Sequence, residues 1–336
     1  MHITVTGATG HIGNNLVRQL LEKDYKVRVM YKSIEKSFVF DDLKVEKYVG
    51  DILDYNYVQE AIQGTDVVIH LAAIISIDGD PTGLVHKTNT LGVEHVVKAC
   101  FKHHVSKLIH FSSIHAIKLS DANGIIDENL DSADASCMAY DQSKVKGEEI
   151  IIEAIQKGLN AYIILPTGVI GIHDYFYSLS GIMLNKLFSG KLPALIKGGF
   201  NWLDVQDLCT TTIQIIKLES NSCRSYLERR FIISGHWASL EELARLCSQI
   251  SGKKAPSIII SKSVAKLGLP FIKIWTLITG SSQLYTLESI NTLLDNPIVF
   301  SHDKATKELN YYPRPLKETL KKIFQWQKEH AINILI

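Results

Sequence analysis

The sequence lacks an excess of charge of either sign. Its 336 residues include 36 Lys or Arg and 35 Asp or Glu, which gives a formal net charge of +1. A chain without a broad basic surface does not favour nucleic acid or an anionic membrane as its partner. The composition indicates a protein that acts on a small molecule.

Cysteine is scarce, and its spacing argues against disulfides and zinc. The cysteines are odd in number and form no C-x-x-C pair; they are Cys100, Cys137, Cys209, Cys223 and Cys247. Such a pattern predicts reduced thiols in a cytoplasmic protein. His103, His104 and His110 also lack the spacing of metal ligands, so we expect no metal.

Long apolar runs are absent as well. The stretch 263–279 is broken by Lys266, Pro270 and Lys273, whereas a membrane-spanning helix needs about 20 apolar residues. The first predicted strand begins near His2, which leaves no room for a signal peptide. We therefore expect a cytoplasmic protein with no membrane partner.

The first half of the chain alternates apolar runs with helical patterns. Helical patterns cover residues 55–63, 90–101 and 143–156. The apolar runs predict strands at residues 3–6, 26–31, 45–49, 66–71, 107–112 and 161–165. This alternation predicts an α/β protein with a doubly wound parallel sheet and right-handed crossovers.

The rhythm changes after Pro166, where glycines mark loops. Two helices are predicted further on: Ser239 and Glu242 form a capping box for a helix that Gly252 closes, and the last helix starts at Pro315. We expect residues 171–336 to form mainly a smaller, mixed α/β substrate-binding lobe. Segments near 200–235 are predicted to return to the first domain.

A glycine-rich turn follows the first predicted strand. Gly7 permits a tight turn at positive φ, Gly10 lets backbone amides approach a pyrophosphate, and Gly13 lets the next helix pack on the strand. The spacing is G-x-x-G-x-x-G instead of G-x-G-x-x-G. It predicts that residues 1–170 are a Rossmann dinucleotide-binding domain. The predicted binding residues of the turn are Gly7, Thr9, Gly10, His11, Ile12 and Gly13.

A second motif carries the chemistry. Tyr140 and Lys144 are four residues apart, so on a helix both side chains project into one space. A neighbouring cation favours the phenolate, which predicts that Lys144 lowers the pKa of Tyr140 towards that of a general acid or base. Ser112 and Ser113 end the predicted strand 107–112, at the carboxyl edge where open α/β sheets bind ligands.

Together these motifs resemble the extended short-chain dehydrogenase/reductase family, within the NAD-dependent epimerase/dehydratase superfamily and closest to its dihydroflavonol-reductase-like branch. The similarity extends nearly end to end. Beyond the two motifs, it includes Gly50-Asp51-Ile52, His70-Leu71-Ala72-Ala73, Thr88-Asn89-Thr90-Leu91-Gly92, Leu165-Pro166-Thr167-Gly168-Val169-Ile170-Gly171 and Leu309-Asn310-Tyr311-Tyr312-Pro313-Arg314-Pro315-Leu316.

The resemblance implies a role for each matching position. Asp51 and Ile52 would contact the adenine, and Asn89 would hold the helix and water around Lys144. Ser113, the second serine of its pair, would be the catalytic hydroxyl, and Tyr140 would exchange a proton as hydride moves. The catalytic set so implied is Asn89, Ser113, Tyr140 and Lys144. The other implied cofactor contacts are Leu71, Ala72 and Ala73, Tyr140 and Lys144 again, and Pro166, Thr167, Gly168 and Val169.

The choice between NADP(H) and NAD(H) depends on residues about 20 positions past the glycines, where an acid would bind the ribose hydroxyl of NAD. This chain has Tyr31, Lys32 and Ser33 there. Without a carboxylate and with Lys32 available, a 2′-phosphate is tolerated, so we predict NADP(H), with NAD(H) as the alternative.

The leading hypothesis is an NADP(H)-dependent oxidoreductase that interconverts a ketone and a secondary alcohol on a small molecule. The first alternative is a nucleotide-sugar epimerase or dehydratase, against which Leu165 and the pair Ile114-His115 count as departures from the usual pattern. The second is a non-catalytic module that senses NADP. A homodimer through the helices that carry Asn89 and Tyr140 is plausible on the family resemblance.

Several further residues are candidates for the substrate space or for packing. His115 follows Ser113 by two positions, so it can point into the substrate space or be a structural histidine. Cys137 and Met138 precede Tyr140 and line the substrate space at most. Trp202, Asp204 and Asp207 fit structural packing at least as well as catalysis.

Overall fold

The computed structural model describes residues 1–76, 79–118, 124–134, 136–219, 225–269, 286–294 and 298–330; Cys223, Pro270 and Lys273 lie outside these ranges. The strands are β1 His2–Thr6, β2 Lys26–Tyr31, β3 Glu46–Val49, β4 Val67–His70, β5 Lys107–Phe111, β6 Ile125–Ile126, β7 Ala161–Pro166, β8 Gly168–Ile170, β9 Ala194–Ile196, β10 Gly199–Asp204, β11 Arg230–Ile233, β12 His236–Ser239, β13 Ile258–Ile260 and β14 Val299–Phe300.

Helices cover both faces of the main sheet and build most of the second lobe. They are α1 His11–Leu21, α2 Tyr55–Ile62, α3 Leu84–Lys102, α4 Ala139–Gln156, α5 Leu179–Ser189, α6 Val205–Lys217, α7 Leu240–Ser251, α8 Leu287–Asn291, α9 Asp303–Leu309 and α10 Leu316–Glu329. Short 3₁₀ helices span Ile34–Phe40, Ile114–Ala116 and Leu227–Arg229.

The main sheet is parallel and doubly wound. Within the described residues it contains seven strands in the order β11-β7-β5-β4-β1-β2-β3, and each neighbouring pair runs parallel. The strand order reverses between β1 and β4, and ligands of open α/β sheets bind at the carboxyl ends of strands beside such a reversal. The predicted fold class is therefore confirmed.

Alternating side chains of the strands supply two cores. On one face, Ile3 and Val5 of β1 pack with α1 and α6, where Leu16 and Leu208 are fully buried. On the other face, β4, β5 and β7 pack against α2, α3 and α4. Strands buried on both faces are the reason that the first half reads as continuous apolar runs.

Three smaller sheets belong to segments outside the predicted strands. β8, β10 and β12 form one sheet, β9 pairs with β13, and β6 pairs with β14. The apolar side chains of the first two sheets meet α5, α7 and α10 in a separate core that contains Trp202, whereas Ile126 of β6 and Phe300 of β14 belong to a core of the main sheet. Residues 200–235 contribute α6 and β11 to the main sheet and its covering layer. The division at residue 170 stays a prediction.

The predicted helix signals are also present. Ser239 Oγ accepts a hydrogen bond from the Glu242 amide at 3.0 Å, and Gly252 ends α7 at φ +73°. Pro315 is the N-cap of α10, so that helix begins one residue later than predicted. None of the helices in the described ranges is long and apolar enough to cross a bilayer.

Candidate active site

The glycine turn joins β1 to α1 at the carboxyl edge of the sheet. Gly7 has φ +65°, and a Cβ on it would lie 2.7 Å from the Ala72 amide nitrogen. A Cβ on Gly13 would lie 2.6 Å from the Gly7 carbonyl oxygen. Both positions therefore need glycine, one for its backbone conformation and its contact with the segment after β4, the other for helix packing.

The first turn of α1 faces the open side of this edge. Gly10 is the N-cap of α1, so no side chain caps the first amides of that helix. These amides and the turn line a cleft of about 1510 Å³ that extends along the carboxyl edge. A helix N-terminus open to a cleft fits an anionic pyrophosphate.

The turn after β4 is fixed by a threonine from β1. The Thr6 hydroxyl accepts hydrogen bonds from the amides of Leu71 and Ala72, both at 3.1 Å, and its oxygen lies 2.8 Å from Nδ1 of His70. Burial lowers the pKa of His70 to about 3, so the imidazole is neutral. Because the Thr6 oxygen already accepts two amides, its hydroxyl is free to donate a hydrogen bond to Nδ1. This network holds Leu71, Ala72 and Ala73 along the cleft.

At the end of the cleft next to β2 and β3, Lys32 forms an ion pair with Asp51, which comes from the segment after β3. Lys32 Nζ lies 2.7 Å from Asp51 Oδ2, and both residues line the cleft with Ile52. Burial opposes ionisation of Asp51, but the Lys32 ammonium and the Leu53 amide hold its pKa below the usual value. Lys36, close by, lies 4.5 Å from the centre of the Phe176 ring.

The serine, tyrosine and lysine of the second motif come together in the same cleft. Ser113 follows β5 at the carboxyl edge, and Tyr140 and Lys144 lie in the first two turns of α4; all three are less than a tenth exposed. The Ser113 hydroxyl is close enough to the Tyr140 phenol to lower its pKa. Lys144 Nζ donates to the Phe111 carbonyl oxygen at 3.1 Å and lies 5.9 Å from the centre of the Tyr140 ring.

The electrostatics of this group differ from the prediction. Burial raises the pKa of Tyr140 above its usual value; the neighbouring Ser113 hydroxyl opposes that rise, and the Asp141 carboxylate adds to it. Burial also lowers the pKa of Lys144 to about 8, against the effect of Glu148. The prediction that Lys144 lowers the pKa of Tyr140 is therefore wrong for this structure, because burial outweighs a cation that is already bound to Phe111.

Asn89 is the one predicted site residue that does not line the cleft. It is buried in α3, where its side chain exchanges two hydrogen bonds with the Ile74 backbone at 2.9 and 3.0 Å. Its amide also donates to Ser143 Oγ at 3.0 Å, next to Lys144. Asn89 thus ties a wall of the cleft to the helix that carries Tyr140.

The segment after β7 reaches the cleft from the opposite side. Pro166, Thr167, Gly168 and Val169 all line it, where β7 passes into β8. The Thr167 hydroxyl donates to Asn201 Oδ1 at 2.9 Å, and the same oxygen accepts the Gly235 amide at 2.7 Å. The main sheet and the small sheet are joined here.

One contact of the site was not predicted. The His11 ring nitrogen Nε2 lies 3.1 Å from the Ile172 carbonyl oxygen, and Asn15 donates to the same oxygen at 2.8 Å. The start of α1 is thereby connected to the loop that places Tyr175 and Phe176 in the cleft wall. Because these contacts join residues more than 150 positions apart, no local pattern in the sequence signals them.

The remaining candidates separate into lining and packing residues. His115, Cys137, Met138 and Trp202 line the cleft. Asp204 and Asp207 instead bind the C-terminal segment. Asp204 accepts from the Thr319 hydroxyl, and Asp207 accepts from the amide and guanidinium of Arg314. In the described ranges, no group of three or more His, Cys, Asp or Glu is placed to hold a metal.

A parallel doubly wound sheet, a glycine turn at its strand-order reversal and a Ser-Tyr-Lys group in the same cleft define an extended short-chain dehydrogenase/reductase. Residues 4–180, more than half of the chain, match the model of the 3-beta hydroxysteroid dehydrogenase/isomerase family, and the chain belongs to that family. It is an enzyme of the NAD(P)-dependent oxidoreductase class.

Relatives of known name support this placement. The chain is 26% identical to a putative dihydroflavonol 4-reductase of Synechocystis over 97% of its own length and 94% of that protein. It is 26% identical to the sterol demethylase protein B of Methylococcus capsulatus over 77% of each chain. The fold is also similar to that of a UDP-glucose 4-epimerase from Thermotoga maritima, with a TM-score of 0.78 and 18% identity. The match covers 99% of this chain and 100% of the epimerase chain.

Proposed function

We propose that the protein interconverts a ketone and a secondary alcohol on a small molecule, with NADP(H) as its cofactor. The observation that carries this proposal is that Ser113, Tyr140 and Lys144 line the same cleft as the open N-terminus of α1. A proton donor for a carbonyl oxygen and a cradle for a dinucleotide thus share one space. The named reductases and dehydrogenases among the relatives support the same reaction class.

The cleft residues fit the cofactor. Gly7 and Gly13 let the turn pack against Ala72 and Ala8, where a Cβ would clash with backbone atoms, and the α1 amides would hold the pyrophosphate. Asp51 and Ile52 would contact the adenosine, and the backbone from Pro166 to Val169 would border the nicotinamide. A nicotinamide bound there supplies or accepts the hydride.

The three polar side chains divide the work on the substrate. Ser113 would bind the substrate oxygen and hold Tyr140, whose phenol donates its proton to that oxygen during reduction and takes it back during oxidation. Because burial raises the pKa of Tyr140, the phenol is protonated before reduction begins. Lys144 would place a positive charge under the ring and bind the ribose hydroxyls, while Asn89 keeps α4 in position.

A substrate panel tests the reaction class. Purified enzyme is incubated with NADPH and a series of cyclic and acyclic ketones, and absorbance of the reduced nicotinamide is followed. We expect net oxidation of NADPH with at least some ketones and the corresponding alcohol as product. UDP-sugars are the comparison: epimerisation of a sugar without net loss of NADPH would favour the epimerase, and tight NADPH binding without any turnover would favour the sensing module.

Lys32 is the basis for proposing NADP(H) over NAD(H). Its side chain is 71% exposed and lines the cleft, as does Lys36, so both cations are available to a 2′-phosphate. The phosphate must share Lys32 with Asp51, which already binds it.

Replacing Lys32 with Ala is expected to raise the KM for NADPH about tenfold and to change the KM for NADH much less, since one charge-assisted contact of about 1.4 kcal/mol is lost. Steady-state kinetics with both cofactors measures the ratio. Lys23→Ala, an exposed lysine at the far end of α1, removes the same charge outside the cleft and is the control. Equal effects of Lys32→Ala on both cofactors would contradict the NADP(H) proposal.

The homodimer stays a prediction. The two helices that the family resemblance assigns to it, α3 and α4, pack side by side here through Asn89 and Ser143.

A further inference from the structure

His115 and Asp141 form a polar pair inside the cleft that the reaction as described does not use. His115 Nδ1 lies 3.1 Å from Asp141 Oδ1, with side chains 25% and 11% exposed. The contact is one of charge and proximity, because among the described residues the buried Asp141 Oδ1 has no hydrogen-bond partner. Both residues line the cleft.

The backbone places this pair beside the reacting groups. His115 lies in the 3₁₀ helix that follows Ser113, and its amide donates to Ser113 Oγ at 3.2 Å. Its ring meets the Tyr140 ring edge-on, with 5.8 Å between the ring centres. Asp141 is the residue after Tyr140 in α4. The imidazole is therefore fixed relative to both the serine and the tyrosine.

The chemistry of the pair defines what it can bind. A carboxylate at Nδ1 favours the tautomer with its proton on that nitrogen, which leaves Nε2 as an acceptor in the neutral ring and a donor in the charged ring. A hydroxyl group both donates and accepts, so it suits Nε2 in either state. The lining of the cleft also includes apolar side chains, among them Ile117, Met138 and Phe200.

We propose that His115, oriented by Asp141, is a specificity-determining residue that binds a hydroxyl group on the substrate close to the reacting carbonyl. The preferred substrate is then a hydroxy-ketone instead of a simple ketone. This inference rests on the proposed function, since it takes Tyr140 and Ser113 as the site of the carbonyl.

Binding to the NADP⁺-loaded enzyme tests the inference separately from turnover. Two ketones that differ only in one hydroxyl group near the carbonyl are titrated by calorimetry, and kcat/KM for both is measured with NADPH. We expect the wild-type enzyme to bind the hydroxylated ketone at least about tenfold more tightly, because a polar site rejects an analogue that lacks its partner.

Three variants assign that preference to His115. His115→Phe keeps the ring edge against Tyr140 but has no ring nitrogen, so the affinity ratio should fall to about one. His115→Gln, which can donate and accept, should restore part of the ratio. Asp141→Asn should lower it by several-fold through loss of the charge that orients the ring. His86→Phe, an exposed histidine outside the cleft, is the matched control and should leave the ratio unchanged.

The outcomes are distinct for the two proposals. A wild-type affinity ratio near one, or a ratio that survives in His115→Phe, would overturn the role of His115 even if ketones are reduced. Absence of NADPH oxidation with every ketone would overturn the proposed reaction, and the calorimetric ratio would still decide whether His115 binds the hydroxyl.

Discussion

Tyr140→Phe is expected to lower kcat/KM for ketone reduction by about 10²–10⁴-fold, the usual contribution of a positioned proton donor. The variant keeps the buried ring and its edge contact with His115, and it removes only the phenol hydroxyl beside Ser113. Affinity for NADPH, measured by fluorescence titration, should therefore stay close to that of the wild type. Loss of turnover with retained cofactor binding assigns the proton transfer to Tyr140.

Tyr162→Phe is the matched control for this experiment. Tyr162 is also fully buried, and its hydroxyl has no hydrogen-bond partner in the described part of the chain. It lies outside the cleft, so removing its hydroxyl should leave kcat/KM unchanged. If Tyr140→Phe retained more than about a tenth of wild-type activity, Tyr140 would not be the general acid.

Six strands of the main sheet were predictable because each one corresponds to a short segment of the sequence with its own apolar pattern. Each strand buried on both faces is an apolar run, and the structure has all six predicted strands, with ends shifted by at most a residue or two. Predicted helices were less complete: α3 begins at Leu84 and α4 at Ala139, whereas the patterns began at residues 90 and 143. Residues 86–89 and 139–142 are mostly polar, so they lack the apolar spacing that predicts a helix.

The second lobe was not predictable in the same way. Its strands are short, and their partners are distant in sequence; β9, for example, has three residues and pairs with β13. Such pairings are decided by tertiary packing rather than by period-two alternation.

In the candidate site, too, the features that lie within one segment of the chain were predictable, and the contacts between distant segments were not. The glycine turn and the Tyr140–Lys144 spacing are local, so the sequence alone indicated them. The Lys32–Asp51 ion pair and the His115–Asp141 pair join different segments and emerge only from the fold. The electrostatic error has the same origin, since the burial that raises the pKa of Tyr140 is a property of the packed cleft.

Among the glycine substitutions, Gly7→Ala is expected to lower both the free energy of unfolding and the affinity for NADPH the most. Alanine at φ +65° costs about 1–2 kcal/mol, and its Cβ would lie within 2.9 Å of backbone atoms of Leu71 and Ala72. Those atoms are fixed by Thr6, so relief requires a shift of the turn, at a further cost of about 1–3 kcal/mol. Urea unfolding should show the combined loss, and NADPH affinity should fall at least about tenfold because the turn that faces the pyrophosphate moves.

Gly64→Ala separates the effect of backbone conformation from that of close approach. Gly64 has φ +73°, but a Cβ there meets no atom within 4 Å. The free energy of unfolding of this variant should fall only by the cost of the left-handed backbone conformation, about 1–2 kcal/mol, and its NADPH affinity should be unchanged. If Gly7→Ala proves too unstable to purify, Gly10→Ala tests binding alone, because its Cβ would meet only the Gly7 carbonyl oxygen at 3.2 Å. Equal losses in the Gly7 and Gly64 variants would show that the contact between the glycine turn and Ala72 does not constrain the cofactor site.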